Sequence, residues 1–402
     1  MPKPSPPAGL LLLLTILFSN GILAATMYLP SLPAIGTELS APADALPLTL
    51  TVYFITFAGG QLVFGPLSDR YGRRPLLVGG LAAMAAGSVA CALAGSLDGL
   101  LLARAAQGVG AASAMAIGRA IINDVYERTQ AARATSVVSA ALAIAPIMAP
   151  MLGGLVEHYA GWRANFWING GVTLVVMLVL LWRMPETGVV PDADSGPLLS
   201  GILRTYGFLL GSRIFLTFGL LNMAVFAGLH GFSSAAPAVL IGTMNLDAVS
   251  FGALMAFGSA GFFIGAVVSS WFGARLGLQR MIDLGVWCMV AGAVGMVLWG
   301  EVFGPSVTVI VVMRMLWAVG MGMALPNSVV AAIGVNPAAL GAGAALAGFL
   351  QTMGGVMGSA VSALFPAGDP LSLALAFACT ALFGAVVWHM NRDAAVPALK
   401  AD

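Results

Sequence analysis

Three histidines, His158, His230 and His389, lie far apart in the chain, and no H-E-x-x-H spacing joins any of them. Three cysteines, Cys91, Cys288 and Cys379, sit in apolar runs without a C-x-x-C pair, so neither a disulfide framework nor a metal or redox centre is expected. No Gly-Lys-Ser/Thr exists for cradling phosphates. Hydrolytic or metal chemistry needs converging His, Asp, Glu or Ser side chains; the pattern offers none, so neither an enzyme nor a cofactor is expected. The informative groups are instead charges set in apolar surroundings: Arg104, Arg119 and Arg314, with His230 near the middle of an apolar run. A charge inside a bilayer is costly and marks a pathway for ions or substrate. A histidine, with an unperturbed pKa of about 6.5, suits a proton carrier. Asp69 and Asp124, at the ends of apolar runs, are the other proton-coupling candidates.

The elements that must hold these groups follow from composition. Of 402 residues, 59% are hydrophobic and 8% charged, against about 25% charged in a soluble domain. That excludes a soluble globular enzyme and a disordered chain, and a net charge of +1 excludes a nucleic-acid binder. The chain reads as an integral membrane protein whose partner is the lipid bilayer. With about 20 apolar residues per crossing, twelve spans are expected, near 9–35, 45–66, 75–97, 100–122, 134–156, 164–184, 213–241, 250–273, 281–302, 306–332, 341–365 and 371–391. The first resembles a signal peptide only superficially, because its apolar run continues through Tyr28-Leu29-Pro30. The longest connection, 185–212, carries Pro191, Asp192, Asp194, Gly196 and Pro197. It divides the chain into bundles of six helices at 1–184 and 213–402. With the N-terminus inside, thirteen of the 17 Lys and Arg fall on the inner side and only Arg163 outside. Such a bias sets the orientation, with both termini inside.

The halves echo each other. Arg70-Tyr71-Gly72 recurs as Arg275-Leu276-Gly277, Arg104 as Arg314, and Pro30 as Pro237, all at offsets of 205–210 residues. Duplicated six-span halves are the signature of parallel-repeat transporters, with substrate held near the bilayer midplane.

Residues 65–75 read Gly65-Pro-Leu-Ser-Asp69-Arg70-Tyr-Gly72-Arg73-Arg74-Pro. One acid among three arginines between two helix ends can form a latch of charge-assisted hydrogen bonds, beyond the anchoring that arginines alone provide. The run resembles the G-x-L-x-D-r-x-G-R-R signature of the major facilitator superfamily. Arg104-Ala-Ala-Gln107-Gly108-Val-Gly110 resembles that superfamily's span-four motif. Ala145-Pro146-Ile-Met-Ala-Pro150-Met-Leu-Gly153-Gly154 resembles its span-five antiporter motif. In a span, the prolines bend the helix and the glycines let a neighbour approach. With Gly161-Trp162-Arg163 and Pro185-Glu186-Thr187, these runs resemble the Bcr/CflA-type (bicyclomycin/chloramphenicol resistance) drug:proton antiporters, most closely over residues 20–190.

The resemblance implies the all-α major facilitator fold and a bacterial inner-membrane efflux transporter working by alternating access, without a cofactor, as a monomer. Its partners would be a small-molecule drug and protons. Members of this branch usually carry an acid just before the Tyr28-Leu29-Pro30 position, where this chain has Thr26. None of its 16 acids falls mid-span. That departure points away from cationic drugs and towards neutral or weakly anionic, phenicol-like amphiphiles. Besides Thr26, the candidates for a mostly apolar binding cavity are Asn20, Tyr28, Tyr53, Gln61, Arg119, Phe226, His230, Trp317, Asn327 and Gln351. An exporter of a metabolite or siderophore, or an uncoupled facilitator, would have the same sequence features.

Overall fold

The computed structural model describes residues 9–126, 128–187, 198–335 and 340–399. Pro191, Asp192, Asp194, Gly196 and Pro197 of the expected linker lie outside the described residues, as do Lys3 and Lys400. By its internal contacts the chain forms two compact units, Met1–Ala41 with Val52–Leu199, and Pro42–Thr51 with Ser200–Asp402.

In the first unit, α1 (Leu10–Thr26) gives way to a tight turn at Leu29–Ser31 and the short α2 (Leu32–Glu38). Pro30 and Pro33 fall where a regular helix would need their missing N–H groups. There follow α3 (Leu48–Tyr71), α4 (Arg73–Ala92), α5 (Leu97–Val125), α6 (Arg128–Ala160) and α7 (Trp162–Arg183). A core of Leu14, Leu17 and Phe18 from α1, Leu81 from α4, Ile117 and Ile121 from α5 and Val176 and Leu180 from α7 fills this unit.

Next along the chain is α8 (Leu198–Gly211), which from Ser200 on belongs to the second unit and lies inside the stretch expected as linker. Its apolar residues give it a face to bury, and Leu209 is fully buried. Next come α9 (Arg213–Pro237), a wider turn at Ala238–Thr243, α10 (Ala248–Phe303), α11 (Val307–Gly334), α12 (Leu340–Ala363) and α13 (Pro370–Leu399). The α10 segment is two spans: its helical backbone is broken at Gly277, where φ is 80°. In the first unit Gly72, with φ 93°, separates α3 from α4 in the same way. Both glycines adopt a backbone shape that a Cβ disfavours, so the duplicated Arg-x-Gly read in the sequence is a duplicated helix break.

Neighbour relations repeat as well. α1 packs on α5, α6 and α7, while α9 packs on α11, α12 and α13. In lipid, helices associate through close van der Waals packing rather than water exclusion, and the tightest contacts fall on glycine. A Cβ on Gly153 of α6 would lie 1.7 Å from the Met27 carbonyl oxygen after α1; one on Gly358 of α12 would lie 2.0 Å from that of Ala227 in α9. Gly153 and Gly358 are 205 residues apart, the offset of the sequence repeat.

Ten helical segments among the described residues are long and apolar enough to cross a membrane. The other two expected spans are α6 and α12, in which several side chains lie outside the described residues. The structure is all-α, as expected.

Candidate functional site

Arg104 is the centre of the polar interior of the first unit. It lies on α5 and is fully buried. Its Nη1 donates to the Ala24 carbonyl at 2.8 Å and to Gln107 Oε1, and its Nη2 reaches the Ala25 carbonyl at 3.4 Å. Gln107 stands one helical turn away on the same face, and its Nε2 donates to Ser88 Oγ of α4 at 2.8 Å. The guanidinium carbon is also 4.5 Å from the Tyr28 ring and 4.4 Å from the Tyr53 ring. Such stacking stabilises a desolvated cation. Tyr53 in turn donates its hydroxyl to the Gly21 carbonyl at 2.7 Å. Gly108 makes the approach of α3 possible, since a Cβ there would meet the Tyr53 carbonyl oxygen at 2.5 Å. Ser88 was not singled out by sequence, and Phe166, which follows the Gly161-Trp162-Arg163 run and whose ring is 6.0 Å from Arg104, was not expected at this cluster; each comes from a different helix, and no local spacing reveals the contact.

Around this cluster, Asn20 donates to Thr173 Oγ1 at 2.8 Å and to the Asn169 carbonyl at 3.3 Å, tying α1 to α7. Thr26 is buried and returns its hydroxyl to the Ile22 carbonyl at 3.1 Å. No Asp or Glu is buried among the described residues; the buried charges there are Arg104 and Arg314. Pro146 and Pro150 lie inside α6, about two turns and one turn before Gly153 and Gly154. Gln61 is half-buried on α3, whereas Arg119 is exposed on α5.

The residues expected to form a latch meet where α3, α4 and α5 end or begin. Arg73 pairs with Asp69, donates from Nε to Asp124 Oδ2 at 3.0 Å, and donates from Nη1 to Ser68 Oγ at 2.6 Å. Asp124 therefore pairs with Arg73 across helices and not with Arg119 on its own helix. Glu186 caps α4, accepting from the Arg73 backbone N–H at 2.8 Å and that of Arg74 at 3.2 Å. A carboxylate at a helix N-terminus is favoured by the unpaired N–H groups there. A Cβ on Gly72 would meet Glu186 Oε2 at 2.7 Å. Arg74 reaches the Leu181 carbonyl at 2.5 Å, and Arg70 lies over Tyr71 at 5.8 Å. Around Gly65 a Cβ would meet nothing within 4 Å. At the other end, Trp162 Nε1 donates to Glu38 Oε2 at 2.6 Å and Arg163 pairs with the same carboxylate, joining α7 to α2.

In the second unit, Phe226 and His230 stand together on α9 with ring centroids 5.8 Å apart, and His230 is buried. Trp317 is buried on α11, 5.1 Å from Phe377. Asn327 donates to Ser269 Oγ at 2.9 Å, and Gln351 is half-buried on α12. A cavity of ≈ 100 Å³ near the ends of α10 and α13, bordered by Trp299 and Asp369, contains none of the candidates.

The family model described as Major Facilitator Superfamily matches residues 13–359. The chain belongs to the major facilitator superfamily. It is 28% identical over 385 residues to Multidrug resistance protein D of Escherichia coli (strain K12), covering 94% of this chain and 95% of that one. To the Chloramphenicol resistance protein of Pseudomonas aeruginosa it is 32% identical over 313 residues, 75% of this chain and 71% of that one. These relatives agree with the Bcr/CflA-type branch that the span-four and span-five motifs resemble. In fold it is similar to the crystal structure of a D-xylose-proton symporter, with a TM-score of 0.75 at 15% identity over 93% of this chain and 96% of that one. This superfamily member is a membrane transporter and not an enzyme.

Proposed function

We propose that the chain is a multidrug efflux transporter of the bacterial inner membrane. It exports small neutral or weakly anionic amphiphiles, phenicol-like in character, by alternating access of two six-helix bundles with both termini cytoplasmic. The names of its relatives, resistance proteins for several drugs, support export rather than uptake. The observation that carries the substrate class is the sign of the buried charge. Position 26 is a threonine bonded to its own helix, and the buried ionic group nearby is the Arg104 guanidinium framed by Tyr28 and Tyr53. A lipophilic cation entering there would meet like charge, whereas carbonyl, nitro or hydroxyl groups would meet donors and ring faces.

Export runs against proton influx in this reading, with His230, Asp124 and Asp69 as the groups that exchange the proton. The test is growth of an efflux-deficient host carrying the chain, challenged with neutral phenicols and with quaternary cations. Protection against phenicols alone is expected. Protection confined to cations would overturn the substrate class, and uphill export that persists with a protonophore would overturn the coupling.

A further inference from the structure

The two repeated arginines are treated differently by the two units. Arg104 has carbonyl acceptors and, three residues on, the Gln107 side chain. Three residues after Arg314 the chain has Trp317, which supplies a ring and another donor but no acceptor. Arg314 is 3% exposed, its Nε and Nη1 have no hydrogen-bond partner among the described residues, and no ion pair there involves it. Trp317, 1% exposed, likewise has an unpartnered Nε1. The guanidinium carbon lies 4.8 Å from the Trp317 ring and 5.4 Å from the Phe232 ring. Phe377 completes the group, 5.0 Å from Phe232 and 5.1 Å from Trp317. Gly228 lets α9 come this close, since a Cβ there would meet Trp317 Cζ2 at 2.7 Å.

A guanidinium cannot shed its proton to escape burial, and an unpaired charge in a membrane interior is costly. Ring faces ease that cost but leave the N–H groups unsatisfied. Three buried donors with no acceptor, walled by aromatic rings, are complementary to an oxyanion carried on a flat apolar body. We propose that Arg314 and Trp317 form a subsite for the carboxylate of an aromatic monoacid, with Phe232 and Phe377 packing its ring. The inference rests on the reading above that the chain carries amphiphiles, and narrows it to weak organic acids as a preferred class. One negative charge neutralises the guanidinium, two oxygens can accept from the guanidinium and the indole together, and a cation is repelled. The site lies wholly within the second unit.

The test uses the purified full chain in detergent and two matched probes, 4-phenylbenzoate and the neutral 4-phenylbenzamide, at a pH where the acid is ionised. The carboxylate is expected to bind about tenfold more tightly than the amide and to raise the melting temperature more. Arg314→Gln should abolish the preference, Arg314→Lys should keep part of it, and Trp317→Phe, which removes the indole N–H, should weaken it. Should Arg314→Gln fail to fold, the Trp317→Phe comparison decides. Equal binding of the two probes, a preference that survives Arg314→Gln, a preference untouched by Trp317→Phe, or equal protection by chloride or phosphate would overturn the proposal. Phenicol export by intact cells is measured in parallel. Export without carboxylate preference removes this subsite alone, and carboxylate preference without any export removes the efflux reading and leaves the subsite standing.

Discussion

Arg73 Nε donates to Asp124 Oδ2 at 3.0 Å, so the first residue of α4 is bonded to the last turn of α5. The same guanidinium holds Asp69 and Ser68 of α3. One cation thus joins three helix ends on the side expected to face the cytoplasm, and Glu186 fixes where α4 begins. Replacing Asp124 by Asn keeps the shape and removes the charge. We expect Asp124→Asn and Arg73→Lys to insert normally but lose most transport, because Lys cannot serve Asp69, Asp124 and Ser68 in the same planar geometry. A double-mutant cycle on Arg73 and Asp124 should give a coupling on the order of 1 kcal/mol, since both groups are partly exposed. A coupling of zero with full transport in Asp124→Asn would show the contact to be incidental.

Gly153 offers a separate test, of packing rather than charge. With the Met27 carbonyl oxygen 1.7 Å from where a Cβ would stand, the obstacle is backbone and cannot rotate away. Gly153→Ala should therefore push α6 off the end of α1, at a cost of about 1–3 kcal/mol, lowering the melting temperature and transport together. Gly65→Ala, which meets nothing within 4 Å, is the control and should behave as wild type. Equal melting temperatures for the two variants would mean that α6 and α1 are not held in this contact.

Much of this was legible in the chain because membrane helices must be continuous and apolar, and because short periodicities act within one helix. Gln107 follows Arg104 by one turn, so their meeting was implied by spacing, and Gly72 with Gly277 announced matching breaks. Contacts made across helices carry no such signal. Nothing local says that Asp124 answers Arg73 rather than Arg119, that Ser88 receives Gln107, or that Glu186 caps a helix begun 113 residues earlier. The unlike fates of Arg104 and Arg314 rest on one difference, Gln107 against Trp317, whose meaning depends on which neighbours surround each guanidinium. The helix α8 was hidden because the charged and Pro-rich residues before it made the whole stretch read as linker.

Gln107 bridges Arg104 and Ser88, so its loss exposes how the buried cation is held. Gln107→Leu is close in size and leaves both the Arg104 guanidinium and the Ser88 hydroxyl short of a partner. The expected destabilisation is about 1–3 kcal/mol for a charged donor that loses its acceptor in a buried site. Gln107→Glu, which restores an acceptor and adds charge opposite the guanidinium, should recover most of the melting temperature. Because it also neutralises the net charge of the cluster, it should admit lipophilic cations and reduce phenicol protection in the growth assay. A Gln107→Glu variant with wild-type selectivity would separate the charge of this cluster from substrate choice.

Acid should act on the second unit through two helix caps outside the membrane spans. Asp247 accepts from the Ser250 hydroxyl at 2.6 Å and its N–H at 2.9 Å, and Asp369 accepts from the Ser372 hydroxyl at 2.7 Å and its N–H at 2.9 Å. These bonds, the serine hydroxyls first, hold both carboxyls below the ordinary aspartate value. A folded pKa below the unfolded one means that the stabilisation is complete above the unfolded value of about 3.9 and is lost as pH falls through the folded one. Asparagine can still cap but does not titrate in this range. The Asp247→Asn, Asp369→Asn double variant should therefore melt somewhat below the wild type at pH 7, with the gap closing as pH is lowered past about 4. Both caps are exposed, so the gap should be small and should shrink further in high salt. A gap that stays constant or widens on acidification would mean that these two carboxylates do not favour the folded state.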